Sequence, residues 1–241
     1  MIRRFSLRVP AGEADLALVR MLDWFPAGVE QRDEGDQVVI SGYADSPPAP
    51  GLAEEEVTAG WEDAWREFHH PVRQGRIWVA PPWRADAAPA ECLAVIIDPG
   101  RAFGTGGHGS TRAALELLQG LPPSPALDLG CGSGVLSIAA LRLGFGPIQA
   151  FDHDPLAVTA TAENAARNGV TVAVAQRDVL TEPLPDAPLW LANLELHLLE
   201  PLLARPDVPP LVLVSGLLSD QSLGGGRRVE VDGWAAELVA P

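Results

Sequence analysis

The chain has 241 residues, 47% of them hydrophobic, and a formal net charge of −15 with a sequence pI near 4.6. That size and apolar content support a buried core, while no run approaches the ~20 apolar residues of a membrane helix. The alternating, arginine-bearing start lacks the apolar stretch of a signal peptide. The acidic balance argues against generic nucleic-acid binding, which needs basic surface to neutralise phosphates; it reads first as a solubilising surface and is compatible with a basic protein partner.

Cys92 and Cys131 cannot build a disulfide framework, which fits a reducing cytoplasm. All 17 basic residues are arginine.

Residues 2–9 alternate as a strand. Residues 12–24 carry Leu16, Val19, Leu22 and Trp24 at helical spacing. Residues 29–33 and 37–43 flank Glu34 and Gly35, which reads as a hairpin and completes a βαββ unit. The segment 46–51, Ser-Pro-Pro-Ala-Pro-Gly, reads as a stiff linker. Residues 54–69 follow as a helix, with Val57, Trp61, Trp65 and Phe68 on one stripe, and Pro71 ends it. The domains expected are 1–52 for substrate recognition, 53–85 as a linking helix and strand, and 86–241 as the catalytic domain.

Beyond residue 86 short apolar runs alternate with helical ones. Strands are expected at 93–97, 126–129, 148–151, 170–175, 189–192 and 211–215, with helices at 110–119, 135–143, 155–168 and 194–203. Fully apolar strands separated by helices mean a doubly wound, mostly parallel α/β sheet covered on both faces. Residues 227–231 and 234–239 close the chain as a hairpin around Asp232 and Gly233.

The chemistry centres on Asp128-Leu129-Gly130-Cys131-Gly132-Ser133-Gly134, which follows an apolar strand and opens a helix. Glycines there allow a tight turn and close approach of a ligand to the backbone. A dinucleotide fingerprint would place its last glycine at position 135, which is Val. This argues against a nicotinamide oxidoreductase and for a ligand whose charged end is a zwitterionic amino acid.

Asp152 ends the next strand, 22 residues after Gly130, where a carboxylate can accept both hydroxyls of a ribose. Asp178, after the third strand, reads equally as an adenine contact or a turn residue. Asn193, after the fourth, aims at the reactive centre or caps a helix. His69 and His70 read as helix-terminal residues, the tryptophans as packing, and no spacing of His, Cys or Asp suggests a metal site.

These residues, together with the block Ala102-Phe103-Gly104-Thr105-Gly106-Gly107-His108-Gly109-Ser110-Thr111, resemble the PrmA family, which methylates the large-subunit ribosomal protein L-eleven at the stalk base. The resemblance covers most of the chain, least in the first 50 and last 40 residues. It implies a seven-stranded methyltransferase sheet behind a small N-terminal α+β domain, S-adenosyl-L-methionine as cofactor, and a cytoplasmic enzyme methylating amino groups of a ribosomal protein.

It also implies that Thr111, Gly130, Asp152 and Asn193 contact the cofactor, with Asp128 and Gly132 in the same loop and Asn193 at the reacting centre. Phe103, Gly104 and His108 then belong to a loop closing over it. Gly107 and Gly109 depart from the family pattern and predict a more flexible lid, and the helix expected between residues 215 and 224 is nearly missing. The alternatives are a related methyltransferase with another protein or small amine as acceptor, and a cofactor-binding module that acts by interaction alone.

Overall fold

A computed structural model describes residues 3–25, 29–44, 46–56, 69–99 and 106–241. The chain divides into two compact units, residues 1–68 and 69–241.

In the first unit, β1 (Arg3–Pro10), α1 (Ala14–Trp24), β2 (Glu30–Glu34), β3 (Gln37–Ala44) and β4 (Ala53–Glu56) build a four-stranded sheet in the order β2-β3-β1-β4. Helix α1 covers one face, burying Ala17 and Met21 with Phe5, Phe25, Val38 and Ile40. Residues 53–56 are expected as part of the linking segment and, from 54, as the start of a helix; they form a strand antiparallel to β1 instead. Three successive glutamates lie opposite Arg3, Arg4 and Phe5, and the pairs Arg3–Glu54 and Arg4–Glu55 reward the extended pairing. The rest of that helix, with Val57, Trp61, Trp65 and Phe68, lies outside the described residues.

The second unit opens with β5 (Val72–Gln74), β6 (Ile77–Ala80) and β7 (Leu93–Ile96), which make a separate three-stranded sheet in that order. Residues 93–96 therefore stand apart from the main sheet, and 72–80 fall in the second compact unit. Ile77, Val79 and Val95 bury one face of this small sheet in the main core.

The main sheet comprises β8 (Ala126–Leu129), β9 (Ile148–Asp152), β10 (Ala173–Gln176), β11 (Leu189–Asn193), β12 (Val212–Leu218), β13 (Arg227–Val231) and β14 (Trp234–Val239). Their order is β10-β9-β8-β11-β12-β14-β13. Only β14 runs against the others. Helices α2 (Gly109–Leu118) and α3 (Val135–Arg142) bury one face. Helix α4 (Pro155–Arg167) packs on β9 and β10. On the opposite face Leu199 and Leu202 of α5 (Leu196–Leu203) cover Trp190, Val212 and Val214.

One connection differs from expectation and another follows it. Strand β10 starts at Ala173 and not at Val170, because the Val170 N–H is already spent on the Ala165 carbonyl at the end of α4. Between β12 and β13 no helix forms: residues 219–226 lead from β12 past β14 to β13 at the sheet edge. Glu237, fully buried, accepts from the N–H groups of Leu223 and Gly225 and from Arg228, so side-chain hydrogen bonds hold the segment where a helix would have packed. Among the described residues no helix is long and apolar enough to cross a membrane.

Candidate functional site

A cleft of about 920 Å³ opens at the carboxyl ends of β8, β9 and β11, the place where open α/β sheets bind ligands. The glycine loop leaves β8 with Gly130 at φ +74°, and a Cβ there would stand 2.4 Å from a methyl of Leu194. The positive φ is the reason for glycine at this turn, and the Leu194 side chain packs into the space that a Cβ would take.

Asp152 ends β9 with its carboxylate pinned on both sides. Oδ2 accepts from the Gly132 N–H at 3.0 Å and Oδ1 from the Asp154 N–H at 3.0 Å. A carboxylate has about four acceptor positions, so the group is oriented without being exhausted. The glycine loop and the acid of the neighbouring strand form one rigid element facing the cleft.

Asp128 is used differently from Asp152. It is 1% exposed, and its Oδ2 accepts both the backbone N–H and the hydroxyl of Ser137. It serves as the cap that Gly134 cannot supply to α3. Burial pushes its carboxyl up to about 6, with the Ser137 hydrogen bonds opposing and Asp152 adding to the rise. It reaches the cleft floor chiefly as a buried negative charge. Cys131, which also lines the cleft, is an inert thiol: burial, then the charge of Asp128, push it up, out of the range of a thiolate.

Asp178 lines the cleft, but its carboxylate is engaged in its own turn. It accepts from Leu180 N–H at 2.9 Å and from Thr181 Oγ1 at 2.8 Å, and these bonds hold it below the usual carboxylate range. Asn193 lines the cleft at the end of β11 and donates through Nδ2 to Thr111 Oγ1 at 3.3 Å. Thr111 is fully buried and reaches Asn193, not the cleft. The structure therefore brings these two expected site residues together, with Thr111 behind.

His108 lines the cleft, its Nδ1 2.8 Å from Ser110 Oγ and its ring 4.4 Å from the Trp234 ring. Phe103 and Gly104 lie outside the described residues. The expected flexibility at Gly109 is corrected by packing. Gly109 opens α2, is buried, and a Cβ on it would meet the Val231 carbonyl at 2.6 Å and Trp234 at 2.8 Å. Glycine is required there for close approach of the last hairpin.

Trp234 itself, a cleft-lining residue, is a site residue that the sequence reading passes over. Its signal was a single aromatic after the Asp232-Gly233 turn. The lining also gathers Asp128, Asp152, Asp154, Asp178 and Glu195 against Arg177, an acidic surface suited to a cationic ligand.

A sheet in this strand order, with a glycine loop after one strand and a fixed acid after the next, defines a class I methyltransferase fold. The comparisons with known proteins narrow this. Residues 49–228 match the family model described as ribosomal protein L11 methyltransferase (PrmA). A ribosomal protein L11 methyltransferase of Alkalilimnicola ehrlichii is 38% identical over 79% of this chain and 62% of its own length. One from a Synechococcus strain is 42% identical over 78% of this chain and 65% of its own.

Among solved structures, the ribosomal protein L11 methylase of Lactobacillus delbrueckii subsp. bulgaricus superposes with a TM-score of 0.61 at 26% identity. That match covers 70% of this chain and 97% of the other. The chain belongs to the ribosomal protein L11 methyltransferase family, and it spans about three fifths of the length of the curated relatives it matches.

Proposed function

We propose that this chain transfers methyl groups from S-adenosyl-L-methionine to amino groups of ribosomal protein L11, in the cytoplasm and without binding nucleic acid directly. The observation that carries the reading is the fixed pair of Gly132 and Asp152 in the lining of an acidic cleft that Asn193 also lines. The residues fit the cofactor: Asp152 offers acceptors for ribose hydroxyls, the glycine loop admits the amino-acid end, and the acids favour a sulfonium cation. When bound, the cofactor supplies a methyl group on positively charged sulfur.

The protein's own part is binding and orientation. In this reading Asn193, which lines the cleft and is tethered through Nδ2 to Thr111, meets the acceptor amine with its amide oxygen. An amine that has shed its proton needs no further activation, so positioning in the cleft supplies most of the rate. The N-terminal unit holds the protein substrate, whose basic character complements the net charge of −15.

The test is incubation with labelled S-adenosylmethionine and total ribosomal protein, with the product identified by mass spectrometry. Label on L11 amino groups is the expected result. Cofactor binding with no labelled amine would refute the catalytic reading, and label on another protein would refute the substrate.

A further inference from the structure

Helix α4 carries a stripe of polar side chains that is buried, although helices ordinarily turn such residues to water. Thr161, Asn164 and Asn168, the last just past the helix, are 0%, 1% and 6% exposed. Each is fully engaged. Thr161 Oγ1 lies 3.0 Å from the Gly132 carbonyl and 3.3 Å from Cys131 Sγ. Asn164 Nδ2 donates to the Ser133 carbonyl at 2.9 Å, while its Oδ1 accepts from the Asp98 N–H at 3.0 Å. Asn168 treats Ile96 as a neighbouring strand would, accepting from its N–H at 2.8 Å and donating to its carbonyl at 2.6 Å.

The three differ in what they hold. Asn168 closes the free edge of β7 and donates to the Asn164 carbonyl, and among the described residues its side chain makes no bond to the glycine loop. Thr161 and Asn164 take two consecutive carbonyls of the glycine loop and turn them toward the helix. In a trans peptide the carbonyl and the following N–H point in opposite directions, so anchoring the carbonyls fixes which way the loop's N–H groups face. It also removes two partial negative charges from the wall that a cofactor carboxylate would meet. Asn164 adds a second function, since the same amide registers Asp98, at the exit of β7, against the loop. Arg167 reinforces this by bonding Asn164 Oδ1 at 2.8 Å and Asp98 at 3.1 Å.

We propose that Thr161 and Asn164 are positioning residues for the cofactor: they hold the glycine loop in its binding geometry from behind and lock it to the segment leaving β7. This assignment rests on the reading of the cleft as a S-adenosylmethionine site. It places their effect on cofactor affinity, with the KM for the acceptor protein unchanged.

The experiment is calorimetric titration of the full chain with S-adenosylhomocysteine, alongside thermal melting. Thr161→Val, which keeps the shape and loses the hydroxyl, should weaken binding by roughly tenfold, the effect of one well-placed hydrogen bond. Thr161→Ser should restore it. Asn164→Asp keeps an acceptor for Asp98 but cannot donate to Ser133, and should bind as weakly as Asn164→Ala. Asn168→Ala should melt lower, as Asn164→Ala does, yet retain the affinity of the unaltered chain.

Thr161→Val binding as tightly as the unaltered chain would overturn the assignment. So would affinity that simply follows melting temperature across the set, with Asn168→Ala losing binding as well. If the unaltered chain fails to bind, the proposed function falls first and this assignment with it.

Discussion

Replacing Asp128 by Asn separates what the site costs from what it does. The carboxylate is buried beneath the glycine loop and titrates near 6 instead of 3.8, so its ionised form disfavours the folded state by about 3 kcal/mol at neutral pH. The sign follows from proton binding: because the folded state holds the proton more tightly, acid stabilises it relative to the unfolded chain. The penalty is complete above about pH 7, roughly half remains at pH 5, and it vanishes below the unfolded value near 4.

Asparagine keeps an acceptor for Ser137 and removes the charge, so Asp128→Asn should lack this dependence. The amide brings a constant offset of its own from an added N–H group. The difference in stability between the two proteins is free of that offset when followed with pH. Between pH 8 and pH 5 it should change by about 1 kcal/mol, in favour of the unaltered chain at the lower pH. For a chain of this size that is a relative shift in melting temperature of about 2–4 °C. Denaturant unfolding across that range, with both proteins in the same buffers, checks it. Parallel stability curves would refute the buried-charge argument. If the proposed function holds, affinity for S-adenosylmethionine should fall in the same variant, because the cleft floor loses a negative charge.

Three further outcomes follow from the geometry. Asp152→Ala should lower affinity for S-adenosylmethionine by at least about tenfold, through lost hydrogen bonds to a charged acceptor; unchanged affinity in calorimetry would remove the ribose assignment. Gly109→Ala should destabilise by about 1–3 kcal/mol, since its methyl meets a backbone carbonyl and the Trp234 ring. A neutral or stabilising effect on melting would instead support a loose loop there. At Glu237, burial would raise the carboxyl, but the Ser222 hydroxyl, the N–H groups of Leu223 and Gly225, and Arg228 outweigh it and hold it below its usual range. Glu237→Gln should therefore destabilise by about 1–3 kcal/mol at pH 7. That loss should shrink as pH falls through the carboxylate range, opposite in sign to Asp128, and a pH-independent loss in urea titrations would show that the charge is irrelevant.

What was legible in the sequence is what depends on neighbours in the chain. The strand–glycine loop–helix unit at Asp128 to Gly134, the acid ending the next strand and the final hairpin all rest on local spacing, and all form. Misread elements depend on partners far away. Residues 53–56 look helical alone but meet the arginines of β1 across the sheet. Strand β7 has the apolar pattern of the main sheet, yet it pairs with β6 and closes its other edge with Asn168. Gly109 reads as freedom in a glycine-rich run and proves to be a contact.

The same logic explains why Thr161, Asn164 and Asn168 escape a sequence reading although they lie at a regular helical spacing. Polar residues three and four apart on a helix normally mark its solvated face. Nothing local distinguishes a stripe facing water from one facing the open carbonyls of a glycine loop and the unpaired edge of a short strand. Those backbone groups exist only because the loop turns too tightly to satisfy itself and because β7 stands outside the main sheet. Buried, they require partners, and α4 supplies them. The small sheet and the glycine loop are thus joined through one helix face. By contrast, the helix-less segment 219–226 is held by Glu237 and Arg228 near the far edge of the sheet. Loss of a helix there leaves the Gly132–Asp152 bond, the Asn193–Thr111 contact and the α4 stripe in place. The cleft keeps its geometry because its supports lie on elements other than the one that was shortened.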